Sequence, residues 1–172
     1  MSVTAVKHIA DSQKGYLITE KRVMLKKYTE GKFGRIFVIR LEDGDKLTAA
    51  IESFAAQNNV LRGVCILVGG IKDGGNIVVG PENGKLLPPV PILFGLQGVH
   101  EVAGVGTIFP DSEGAPVLHM HAALGREGQT RAGCIRPGVE VWQVGEVILL
   151  EITGNAAYRA KDATTGFELL EP

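Results

Sequence analysis

Cysteine is scarce in this chain. Cys65 and Cys134 are the only two in 172 residues, which excludes a disulfide framework and points to a reducing, cytoplasmic setting. Long apolar runs are missing as well. No window approaches ~18 uninterrupted apolar residues, so no membrane span is expected, and the leading MSVTAVKHIADSQKG lacks the continuous apolar stretch of a secretion signal. Charge of one sign is also lacking. The net charge is −1, so the whole molecule has no positive field to gather nucleic acid or anionic lipid. Motifs for nucleophilic catalysis are absent: there is no G-x-S-x-G elbow and no C-x-x-C pair. The glycine-rich VGGIKDGG lacks Gly-Lys-Ser/Thr and opens no helix, so it is not a phosphate-binding loop.

Glycine is what the chain has in excess, with 23 residues beside 8 prolines. That much turn-forming sequence implies many short strands rather than long helices. The length suits one domain of ~100–200 residues, large enough for a core of its own. Charge is unevenly placed: residues 1–40 carry nine Lys/Arg against three Asp/Glu, whereas residues 41–172 carry nine against sixteen. Residues 1–20 show no periodicity and read as a loose basic arm, leaving 21–172 as the domain. A surplus of lysine at one end is ordinarily a solvated surface; a nucleic-acid arm is the alternative.

The pattern predicts a strand over Arg35 to Leu41, then a change of period. In EDGDKLTAAIESFAAQNN, Leu47, Ala50, Ile51, Phe54 and Ala55 follow helical spacing, with Asp43 or Asp45 placed to cap the first turn and an end near Asn58–Asn59. The apolar VLRGVCILVGG reads as a strand covered on both faces. Further strands are expected at Asn76 to Val79, Pro91 to Phe94, Val99 to Phe109, Val117 to Leu124, Thr130 to Arg136, Val139 to Trp142 and Glu146 to Thr153, with Asn83-Gly84 as a hairpin signal. The expected fold is α+β: a single domain with a mixed, mostly antiparallel sheet and one main helix packed on it.

VLHMHAALGREGQTRAGCIR holds the chemistry. On a strand His119 and His121 project from one face, ~7 Å apart along the chain, near enough to converge on one metal ion. A two-residue turn at Arg126-Glu127 would set Gly125 opposite Gly128, His119 opposite Cys134 and His121 opposite Ala132. The two imidazoles and one thiolate would then form a zinc-type N/N/S site with a fourth position open. Two histidines held by backbone hydrogen bonds and a small buried cysteine would show the same sequence. His100 is expected at the surface or an interface, on the face opposite Glu101. Glu101, Glu146 and Glu151 lie among apolar residues, where a buried carboxylate needs a partner; a ligand-orienting or general-base role is open to one of them.

The ordered series IRLEDGDKLTAAIESFAAQNNVLRGVCILVGG, GVHEVAGVGTI, LHMHAALGREGQTRAGCI and GEVILLEI resembles the plant and prokaryote conserved (PPC) domain over about residues 35–153. The resemblance implies a sheet of seven or so strands with a helix, assembled as a homotrimer. It also implies a stand-alone, prokaryotic type of binding module, expected to be DNA-associated and without catalysis, or to contact another protein. His119 and His121 match the family's H-x-H of a histidine-based metal site, whereas Cys134 falls where histidine is more usual. The alternative is a zinc-type metalloprotein with a His119/His121/Cys134 site and hydrolytic or small-ligand-binding activity. No Arg-Gly-Arg-Pro hook is present. Should DNA be bound, the candidate contacts are Lys21, Arg22, Lys26 and Lys27.

Overall fold

The structure, a computed structural model, describes residues 27–172. The predicted arm at 1–20 and three of the candidate DNA contacts, Lys21, Arg22 and Lys26, lie outside the described residues.

Short segments rich in apolar residues, bounded by turns, build β1 (Lys32–Glu42), β2 (Gly63–Ile71), β3 (Asn76–Pro81), β4 (Pro91–Gly95), β5 (His100–Pro110), β6 (Pro116–Arg126), β7 (Gln129–Ile135) and β8 (Val141–Thr153). They form one sheet in the order β1-β8-β2-β5-β6-β7-β3-β4. Each pairing in it is antiparallel, so the expected "mixed" character resolves to one direction of pairing. The two predicted segments Val139 to Trp142 and Glu146 to Thr153 are a single strand, β8. Its continuity is kept by an irregularity opposite Gly69 and Gly70, where Gln143 takes a left-handed φ of 60°. A two-stranded hairpin of β9 (Tyr158–Lys161) and β10 (Glu168–Glu171), unforeseen in the sequence, follows. No helix among the described residues is long and apolar enough to cross a membrane.

The one helix among the described residues, α1 (Leu47–Gln57), falls where its period placed it and buries Leu47, Ile51 and Ala55 completely, one turn apart. Its start departs from expectation. The N-cap is Lys46, with no side-chain cap, because both aspartates are engaged elsewhere. The Asp45 carboxylate accepts the Glu42 N–H at 2.8 Å, and Asp43 accepts the Gln143 N–H and the Lys72 ammonium, each at 2.9 Å. The Leu47 N–H donates instead to the Val139 carbonyl at 3.0 Å, a backbone substitute for the cap.

Register divides the sheet into two faces. Phe37, Leu149, Cys65, Gly106 and Met120 are successive partners across β1, β8, β2, β5 and β6, and the apolar ones pack into the core with α1. The next row, Val38, Ile148, Ile66, Val105 and His121, lies on the other face. There Val38 is 82% exposed and Val105 59%. β2 is thus sealed on one side alone within the chain, which corrects the expectation of a strand covered on both.

Candidate metal centre

Strand β6 brings the two histidines to the uncovered face, because Leu118, Met120 and Ala122, which alternate with them, are all buried on the core side. The turn to β7 is Glu127-Gly128, with φ of 52° and 75°, a pair of left-handed residues that suits a type I′ hairpin and that glycine at the second position favours. The turn is therefore one residue later than Arg126-Glu127, and the register differs by two: Gly125 faces Thr130, Ala123 faces Ala132, and Cys134 faces His121 rather than His119. A slip of two leaves every side chain on its predicted face. The three candidate ligands accordingly still meet. β3 then packs so closely on β7 that a Cβ at Gly133 would lie 2.5 Å from the Val78 carbonyl oxygen. The residue before Cys134 has to be glycine for Val78 to pair with Cys134.

One ligand atom from each of His119, His121 and Cys134 lies within 4.8 Å of the others. The rings stand edge to face, 84° apart, and their Nε2 atoms are 3.2 Å apart. Two nitrogens bound to one tetrahedral ion at ~2.0–2.1 Å would be about 3.3 Å apart, so the spacing fits. Loss of water around the His119 ring, followed by the nearby charges of Arg159, His121 and Arg136, lowers its pKa. The neutral, ligating form of the imidazole is thereby favoured at neutral pH. The two cysteines differ in kind. Cys65 sits in the core, where burial pushes its thiol up to about 12, so it stays protonated; Cys134 is the one on the histidine face.

Other candidates fall elsewhere. His100 is buried, not superficial, with its Nδ1 2.9 Å from the Gly98 carbonyl. Glu101 and Glu146 are exposed. Glu151 has the partner that a buried carboxylate requires, since Arg35 Nε and Nη2 each reach it at 2.8 Å and the Arg35 N–H donates at 2.9 Å. None of the three carboxylates belongs to the histidine–cysteine group. Lys27, the one candidate DNA contact among the described residues, pairs with Glu171 at 2.7 Å. Sequence reasoning missed Arg159 of β9, which approaches the site through Thr107, the β5 partner of His119. A single arginine in a polar tail carries no periodic signal that could have exposed it.

Fold and site together define a small α+β domain, a main antiparallel sheet with a helix packed on it, that bears a His-His-Cys group on its open face. Residues 28–153 match the model of the Plants and Prokaryotes Conserved (PCC) domain, the same family as the PPC domain of the sequence resemblance, and the chain belongs to that family. Among solved structures, the metal-containing protein AF0104 from Archaeoglobus fulgidus is similar, with a TM-score of 0.72 and 26% identity over 83% of this chain and 97% of that one. A plant- and prokaryote-conserved protein from Pyrococcus horikoshii follows at 0.69 and 22%, over 83% and 97%. A "putative DNA binding protein" from Bacteroides thetaiotaomicron has 0.66 and 16%, over 82% and 96%. These last two likenesses bear on the fold alone. The chain matches no curated protein.

Proposed function

We propose that the protein is a homotrimeric PCC-domain binding module, with residues 1–20 as an arm on a 21–172 domain, in which His119, His121 and Cys134 hold one zinc-type divalent ion per chain. The observation that carries the metal is the convergence of the donors. Two Nε2 atoms 3.2 Å apart could be explained by one imidazole donating its proton to the other. That account has no use for a cysteine brought within 4.8 Å of both rings from another strand. An N/N/S set suits zinc, and three protein ligands leave a fourth position for a bound molecule. Such an ion supplies Lewis acidity; the chain's part is to hold the rings neutral and the site open. The metal-containing similarity from Archaeoglobus fulgidus supports the same reading. Elemental analysis of untagged protein tests it. Near one metal per chain is expected, lost in His119→Ala and His121→Ala; a content well below one, unchanged by either substitution, overturns it.

The trimer draws on the open face. Val38, Ile66, Val68 and Ile148, rimmed by Arg40 and Glu146, line a shallow depression there, an apolar patch with a polar edge of the kind that marks an interface with another molecule, and the family resemblance names a second and third copy as the occupants. Association with DNA is the reading for the basic stretch of Lys21, Arg22, Lys26 and Lys27, supported by the name of the Bacteroides thetaiotaomicron similarity. Three copies would bring that charge together. Binding to duplex DNA at low salt that falls steeply as salt rises is expected; its absence removes this part of the proposal.

A further inference from the structure

A buried positive charge with no ion pair among the described residues stands beside the histidine–cysteine group. Arg159 is 5% exposed. Its Nη2 donates to Thr107 Oγ1 at 3.0 Å and to the Thr107 carbonyl at 3.4 Å, and the guanidinium lies 5.9 Å from the Phe109 ring centre. Thr107 is the direct cross-strand partner of His119. Directly opposed side chains share a face, so the guanidinium stands on the imidazole side of the sheet. Among the described residues no carboxylate lies within ion-pair distance of Arg159; Glu168 of β10 acts on it only as a more distant charge, and the buried Nε has no acceptor among the described residues.

A desolvated cation left unpaired is costly, and proteins ordinarily avoid it. Arg35 shows the ordinary solution in this same chain, with both sides of its fork on Glu151. At the proposed centre the balance runs the other way. A divalent ion with two neutral imidazoles and one thiolate keeps one net positive charge, and Arg159 adds another. Arg136 also places its charge toward His119.

We propose that the open fourth position of this centre takes a small oxyanion, a carboxylate or phosphate group, for which Arg159 is the positioning residue and counter-charge. The inference rests on the metal reading above. A neutral fourth ligand would leave the ion's charge unanswered and the buried Arg159 with only the more distant Glu168, whereas an oxyanion answers both, and guanidinium is the side chain best suited to one. Arg159 lies beyond residue 153, where the match to the family model ends. The C-terminal hairpin of β9 and β10 is therefore what adds anion selectivity to the H-x-H strand.

The test uses the full-length untagged protein loaded with Co(II), whose visible bands report coordination. It is titrated with inorganic phosphate and with acetate at constant ionic strength. A shift of the bands by either anion is expected, weakened about tenfold or more in Arg159→Met, the loss typical of a hydrogen bond to a charged group. A response to acetate alone assigns a carboxylate, and one to phosphate alone a phosphoryl group. If Arg159→Met does not fold, Arg159→Lys carries the comparison, because it keeps the charge but loses the planar fork, with a weakening of about threefold expected. Cobalt bound at one per chain with bands unmoved by both anions, or moved equally in wild type and variant, overturns this inference and leaves the metal reading standing. Failure to bind cobalt removes both.

Discussion

Two rows of side chains, one residue apart along each strand, have opposite fates in this sheet. Phe37, Leu149, Cys65 and Met120 face the helix; Leu149 and Cys65 are fully buried and Met120 is 1% exposed. Val38, Ile148, Ile66 and Val105 are equally apolar but face away from it, and they run into His121 and then Cys134. Apolar character alone therefore does not mark the core. What marks it is the partner layer, since α1 covers one face while, among the described residues, the β9–β10 hairpin reaches the other at Thr107. The arginines of the two faces show the same contrast. Arg35, near the end of the helix, forms an ion pair with a carboxylate, and Arg159, near the histidines, forms none among the described residues.

The sharpest way to break this comparison is to truncate matching residues of the two rows. Leu149→Ala removes a side chain enclosed on every side and is expected to cost ~2–5 kcal/mol in urea unfolding at fixed protein concentration. Val38→Lys should cost less than about 1 kcal/mol in the unfolding of a single chain, since it changes a residue open to water. Its effect belongs to assembly. Sedimentation should show a smaller species for Val38→Lys and an unchanged one for any Leu149→Ala protein that remains folded. A Val38→Lys chain that loses as much stability as Leu149→Ala would show that this face is not open, and one that assembles as the wild type does would show that it is not an interface.

Much of the architecture was legible because strands betray themselves by a period of two. The H-x-H pair needed nothing more than that period: Leu118, Met120 and Ala122 point inward, so His119 and His121 point out. The place of Cys134 depended on which two residues turn the hairpin, and a turn at Arg126-Glu127 leaves Gly128 on the strand, whereas it takes the second turn position. The error was even, so the face survived and only the direct partner changed. Capping of α1 was illegible for a different reason. Asp43 and Asp45 are good caps in isolation, but the Gln143 and Glu42 amides compete for them from elsewhere in the fold. Burial of His100 and the approach of Arg159 are likewise products of tertiary packing, and no local pattern encodes either.

The smallest effect concerns the charged pair at the rim of the core face. Three donors from Arg35, first its side chain and then its backbone N–H, hold the Glu151 carboxyl down to about 2 from an ordinary 4.5. A carboxylate whose pKa is lower in the folded chain than in the unfolded one stabilises the fold fully above its ordinary value. That contribution disappears as the pH falls from about 4.5 to about 2. The urea midpoint of the wild type should therefore decline across this window more steeply than that of Arg35→Met, in which Glu151 loses the side-chain donors, keeps only the backbone N–H at position 35 and is lowered less in the folded chain. Exposure of Arg35 to solvent keeps the difference modest. Parallel curves for the two proteins would mean that the pair contributes no more to the fold than a surface contact, and that both faces of the sheet leave their arginines effectively alone.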